Sequence, residues 1–107
     1  MLGHLEEQVL TIVLKLQKVN EKAFGLLIFD KLIGIGINVV NGTVYNTLSR
    51  LESKGLLRSE TTKPISQRGG RGKRIYFLED KGIQELKECY MQKKAQMSKL
   101  SVTFEKT

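Results

Sequence analysis

The chain has 107 residues, 40% of them hydrophobic, and carries 18 Lys and Arg against 11 Asp and Glu for a formal charge of +7. That length and apolar content predict one domain with a modest core and exclude global disorder. The basic balance points to a polyanionic partner, nucleic acid ahead of a membrane surface, while Cys89 as the sole cysteine excludes an intrachain disulfide and, with His4, leaves too few soft ligands for structural zinc.

The start of the chain, Met-Leu-Gly-His-Leu-Glu-Glu, lacks the basic opening of a signal peptide. No apolar run nears the roughly 20 residues that span a bilayer, so the expected location is cytoplasmic, with no membrane partner. Leu2, Leu5, Val9, Ile12, Val13 and Leu16 recur at steps of three and four, predicting a first amphipathic helix. Glu6, Glu7, Lys15 and Lys18 fall on its polar side. Val19 to Lys22 is a polar break. A second helix is expected from Ala23-Phe24-Gly25, carrying Leu27, Ile28 and Leu32 and stopped by Gly34 and Gly36. Ile35, Ile37, Val39 and Val40 predict a short extended piece, after which Asn41 is the expected cap of a third helix.

On that third helix Val44, Leu48, Leu51 and Gly55 share one side, and Gly42, Asn46, Ser49, Arg50 and Ser53 lie roughly opposite. Thr43 and Tyr45 sit on the flanks. A solvated helix usually mixes Glu and Lys, but this outer side has no acid and no large apolar group. It suits close approach and hydrogen bonding. Tyr45 either covers the edge of the core or offers its phenol to a phosphate. Leu56 to Thr62 and Lys73 to Leu78 read as two strands, the second rich in β-branched and aromatic residues. The Gly-rich loop from Lys63 to Gly72 joins them. From Lys63 to Arg74 there are five cations, Lys63, Arg68, Arg71, Lys73 and Arg74, and no acid, a concentration that favours phosphate contact over plain solvation.

The last helix is expected from Asp80. Ile83, Leu86, Tyr90, Met97, Leu100 and Phe104 keep a heptad register broken only by Lys93. Such a stripe outruns the core of one small domain and predicts a seam with another chain.

Motifs of chemistry fail on inspection. Gly69-Gly70-Arg71-Gly72-Lys73-Arg74 looks like a phosphate loop, but Gln67 occupies the place of its first glycine and Arg74 that of its Ser or Thr. Gly34-Ile35-Gly36 lacks the third glycine of a dinucleotide site. Asn41-Gly42-Thr43 is a glycosylation sequon without meaning in a cytoplasmic protein. His4 reads as a surface residue. Glu6-Glu7 and Glu79-Asp80 read as acids near helix starts, and Cys89 as a packed or idle thiol. No catalytic set, metal site or cofactor follows.

A short exposed helix beside a cationic hairpin is equipment for docking on double-stranded DNA, the helix in the major groove and the loop on phosphate. Asn46 and Arg50, one turn apart, can address the same groove; Arg is the natural partner of guanine and Asn of adenine. Thr43 and Ser49 are expected on backbone or water, Tyr45 on a phosphate, and Arg68, Arg71 and Lys73 on phosphates from the loop. A dimer would want an inverted-repeat operator.

The order of elements, with Gly42-Thr43-Val44-Tyr45, Leu48-Ser49-Arg50-Leu51-Glu52, Gly55-Leu56, the Gly-Gly-Arg loop, Tyr76-Phe77-Leu78, Gly82 and Ala23-Phe24-Gly25, resembles the PadR-like family of winged-helix transcriptional regulators over residues 2 to about 90. Two positions depart from its pattern. Leu-Thr before the last helix is here Leu78-Glu79, with Asp80 as the substitute cap, and the Ser or Asn usual before Asn41 is here Val40. The resemblance implies an α+β, mostly α, winged helix-turn-helix over residues 1–79, with a long C-terminal dimerisation helix over 80–107 in the same compact unit. It further implies a homodimer joined through the first and last helices, which adds Leu5 to Ile83, Leu86, Tyr90, Met97 and Leu100. Action usually as a repressor and a possible small hydrophobic or aromatic effector are implied as well. The competing class is a winged helix used for protein–protein assembly with no DNA target, its basic loop meeting an acidic partner.

Overall fold

The computed structural model describes residues 2–62 and 73–105, and beyond Met97 only the helical backbone. The elements are α1 (His4–Lys18), β1 (Ala23–Phe24), α2 (Gly25–Gly34), α3 (Asn41–Ser53), β2 (Leu57–Thr61), β3 (Arg74–Leu78) and α4 (Asp80–Glu105). The three strands form an antiparallel sheet in the order β1-β3-β2. Ala23 faces Tyr76 across the first pair, and Leu57 faces Leu78 across the second. This is a winged helix-turn-helix, mostly helical.

The core gathers where α1, α2 and α3 meet over the sheet. Val9, Leu10 and Val13 of α1, Ile28 and Leu32 of α2, and Val44, Leu48 and Leu51 of α3 have no exposed surface. Leu57, Tyr76 and Leu78 close it from below. Burying a Leu or Val side chain contributes about 1.5–3 kcal/mol, so the inner side of α3 is fixed by its own chain.

The first three helices stop by one device. The residue after the cap enters the left-handed region: Asn20 at φ 59°, Gly36 at 89° and Gly55 at 77°. The next N–H then reaches back to a carbonyl of the last turn, as Leu56 N–H to Leu51 O at 3.0 Å and Ile37 N–H to Leu32 O at 3.0 Å. A side chain at φ > 0 is costly, which is why Gly36 and Gly55 stand there.

Several sequence expectations are corrected. Ala23 and Phe24 are strand, not the opening of α2, because their backbone pairs with Tyr76 and Ile75. Residues 35–40 join no strand; their apolar character reflects partial packing of Ile37 and Val39 on the core. Leu56 precedes β2, and its carbonyl accepts the Glu79 N–H at 3.0 Å. Asn41 is the first residue of α3, and the cap position belongs to Val40. At α4 the capping position is Glu79, whose carbonyl accepts the Ile83 N–H at 3.0 Å, with Asp80 in the first turn. On α1, Glu6 is buried at 7% exposure rather than solvated, and Leu10, outside the predicted stripe, is completely buried.

Candidate nucleic-acid interface

α3 positions the candidate reading face. Val44, Leu48 and Leu51 anchor one side, and Thr47 joins them, its hydroxyl donating to the Thr43 carbonyl at 2.8 Å. With that side held, Asn41, Gly42, Thr43, Tyr45, Asn46, Ser49 and Arg50 are exposed. The one acid of α3, Glu52, is turned to the sheet, where it accepts from Ser59 Oγ at 2.8 Å and faces Arg74 at 3.6 Å. The outward face therefore holds hydrogen-bonding groups and one cation, with no carboxylate among them.

Tyr45 takes the first of its two expected roles, covering an edge of its own domain. Its ring lies against the start of α2 so closely that a Cβ on Gly25 would stand 2.5 Å from Cε1 and 2.9 Å from the hydroxyl. Glycine at 25 is thus what lets the ring lie there. The residue nonetheless stays 41% exposed.

The two ends of α3 differ. At the C-terminal end the Lys54 ammonium donates to Glu6 Oε2 at 2.8 Å, and the Gly3 N–H donates to Glu6 Oε1 at 3.0 Å. Burial would raise the Glu6 pKa, but the Lys54 and Gly3 hydrogen bonds and the charges of Lys54 and Arg50 outweigh it and hold the carboxyl below its ordinary value. Glu6 also lines a shallow groove of about 350 Å³ with His4, Thr43, Asn46 and Arg50. The first turn of α1 is thereby placed beside the candidate base readers, which sequence periodicity had no means to reveal. At the N-terminal end Val40 makes no side-chain cap, forgoing about 0.5–2 kcal/mol available to Ser or Asn. Gly42, two residues inside the helix, costs up to about 1 kcal/mol relative to Ala.

Of the loop cations, Arg68 and Arg71 lie outside the described residues, as does the rest of 63–72. Lys73 is exposed at the root of the hairpin. Its N–H donates to Thr62 Oγ1 at 2.8 Å, and its ammonium lies 5.3 Å from the Phe24 ring centroid. Arg74 is drawn to Glu52, and Arg58 pairs with Glu60 at 2.7 Å and Glu79 at 3.2 Å while covering Phe77. Of the two described cations from this stretch, Arg74 is thus tied to α3 through Glu52, and Lys73 lies over β1 at Phe24.

The seam expected on α4 divides into two parts. Leu5, Ile83 and Leu86 are half-buried against their own core. Tyr90, Met91 and Met97 are 64%, 64% and 57% exposed. The side chains of Leu100 and Phe104 lie outside the described residues. Lys93, which breaks the heptad register, reaches back to Glu7 of α1 at 2.7 Å. Between α1 and α4 runs a groove of about 570 Å³, floored by Leu14, Ile83, Leu86, Tyr90 and Met91 and edged by Lys18, Lys87, Glu7 and Lys93. Among the described residues no cluster of His, Cys, Asp and Glu could hold a metal ion, and no helix is long and apolar enough to cross a membrane.

A winged helix whose anchored third helix turns a polar, acid-free face outward defines a class, the winged-helix transcriptional regulators. Residues 13–88 match the transcriptional regulator PadR-like family, and the chain belongs to that family, which is one of regulators and not of enzymes. It is similar to the structure of a PadR-like transcription factor from Bacteroides fragilis, at 28% identity, TM-score 0.75, and coverage of 92% of this chain and 88% of that one. It shares its fold with a PadR family transcription regulator from Clostridium difficile, at 24% identity, TM-score 0.72, and coverage of 95% and 98%. The fold also recurs in Bacillus subtilis PadR in complex with operator DNA, at 22% identity, TM-score 0.68, and coverage of 82% and 47%. No curated protein matches the chain significantly.

Proposed function

We propose that this chain regulates transcription by binding double-stranded DNA as a homodimer, with α3 in the major groove and the hairpin cations on flanking phosphates. The observation that carries this reading is the outer face of α3, where Asn46 and Arg50 stand exposed with Thr43, Tyr45 and Ser49 and no outward-facing carboxylate of α3 itself; the nearby Glu6 of α1 is tied to Lys54. Asn46 and Arg50 address base edges; Thr43, Ser49 and Tyr45 address backbone or water; Arg68, Arg71 and Lys73 neutralise phosphate. The complex of the related Bacillus subtilis protein with operator DNA supports the same mode here. An apolar surface on α3 would have favoured the protein-assembly alternative.

The dimer reading rests on Tyr90, Met91 and Met97, apolar groups exposed on a helix of 26 residues. The long axis of the chain reaches 64 Å against 27 and 25 Å across, so α4 extends past what its own domain covers. A second copy presents the same stripe, which α4, Leu5 and Leu100 would meet across a two-fold axis. The α1–α4 groove has the size and apolar floor of a small-molecule site; a hydrophobic or aromatic effector there would alter the dimer angle and release DNA, as expected of a repressor.

Selection from a pool of randomised duplexes, followed by sedimentation of the enriched complex, tests this. The expected result is an inverted repeat with half-sites about one helical turn apart, two chains per duplex, and reduced transcription in vitro from a template bearing that site. Failure to enrich any sequence at low salt would overturn it in favour of protein assembly.

A further inference from the structure

The N-terminal end of α3 breaks two local rules at once. Val40 holds the cap position, 67% exposed and with no side-chain cap hydrogen bond, so it contributes little packing and no capping. Gly42 lies inside the helix without positive φ, and a Cβ there would meet nothing within 4 Å. Nothing within the described chain calls for either residue. Neighbouring Val39, by contrast, packs on the core. Stability given up twice at one exposed spot, with no gain inside the molecule, marks a surface shaped for something outside it.

The two residues have complementary shapes for one kind of surface. Gly42 lets the α3 backbone come close, and Val40 presents two methyl groups beside it. In the major groove the one apolar feature of a base pair is the 5-methyl of thymine, and the N-terminal residues of a recognition helix are those that reach base edges. We propose that Val40 is a specificity-determining residue that reads a thymine 5-methyl group, with Gly42 permitting the approach. This deepens the DNA-binding reading and rests on it. It adds an apolar contact to a face otherwise made of hydrogen-bonding groups, at a helix end separate from Asn46 and Arg50.

Replacing thymine by deoxyuridine removes the 5-methyl and leaves every hydrogen-bonding group in place. The enriched duplex is therefore made with deoxyuridine at one thymine position at a time, and affinity is measured by fluorescence anisotropy for wild type, Val40→Ser and Gly42→Ala. Wild type is expected to lose about fourfold at one thymine per half-site, the worth of one methyl-sized apolar group, and Val40→Ser to be indifferent to that change. Val40→Ser gains a cap and should melt about 4 °C higher. Gly42→Ala should also melt higher yet bind the thymine duplex more weakly. Equal wild-type affinity for both duplexes at every position would overturn the inference while leaving sequence-specific binding intact. So would a Val40→Ser variant that senses deoxyuridine as wild type does, or a Gly42→Ala variant that binds as wild type. Loss of any preference between enriched and scrambled duplexes would remove the underlying DNA reading, and this inference with it.

Discussion

α3 and α4 are both amphipathic helices, yet they leave opposite chemistry exposed. Val44, Leu48 and Leu51 of α3 have no exposed surface, so what remains outside is amide, hydroxyl and guanidinium beside the part-exposed Tyr45. On α4 the core absorbs only the first turns through Ile83 and Leu86, and Tyr90, Met91 and Met97 are left bare. A helix whose apolar residues are used up is fitted to a hydrated, hydrogen-bonding partner. One with apolar residues to spare is fitted to another apolar surface. The same accounting of surface is what supports the proposal of nucleic acid for one helix and of a second copy for the other.

The largest effect should come from the side of α3 already satisfied. Leu48→Ala should lower unfolding free energy by about 2–5 kcal/mol, whereas Ser49→Ala, one residue on, should stay within about 0.5 kcal/mol. Urea denaturation of both variants measures the contrast. Comparable losses would mean that the outer face is also packed.

On α4 the contrast reverses. Tyr90→Asp and Met97→Asp sit at exposed positions, so the monomer should keep its melting temperature within a few degrees. Self-association should weaken by about 2 kcal/mol or more, because a charge enters an apolar seam. Sedimentation equilibrium reads this directly. Variants that associate as wild type would place the dimer contact elsewhere.

The hairpin should act through charge alone. Replacing Arg68, Arg71 and Lys73 by Ala should flatten the log–log salt dependence of DNA binding by up to about three units, at about 0.9 per phosphate neutralised. Specific and random duplexes should weaken alike. An unchanged slope would turn the hairpin away from the DNA.

The smallest effect concerns the tie between α1 and the C-terminal end of α3. The folded pKa of Glu6 is depressed, so its stabilisation is present above the unfolded carboxylate pKa and is lost as pH falls through the folded value. Glu6→Gln should therefore reduce the drop in stability between neutral and acidic pH, by about 1 kcal/mol or less given that Lys54 is partly exposed. Thermal melts at several pH values check this, and identical pH profiles would contradict it.

Local periodicity carried the sequence reading as far as neighbours along the chain decide structure. The inner side of α3, the strands of the hairpin and the start of α4 follow from spacing within a few turns. The Lys54–Glu6 contact spans 48 residues and the Lys93–Glu7 contact 86. A helical wheel assigns such acids to solvent, and it made Lys93 a mere gap in a stripe. β1 was missed because two residues carry no periodic signal, and only the register with β3 defines it. Val40 was legible as a departure from the family pattern; its meaning depends on exposure that only the fold reveals.

The central claim, that the outer face of α3 reads bases, is tested most directly by the affinities of wild type, Asn46→Ala and Arg50→Ala for the enriched duplex and for a scrambled duplex of equal length. Each variant should lose about 1–3 kcal/mol on the enriched duplex and much less on the scrambled one. Equal losses on both would make α3 a positioning element without sequence information, and no loss on either would contradict DNA binding through this face altogether.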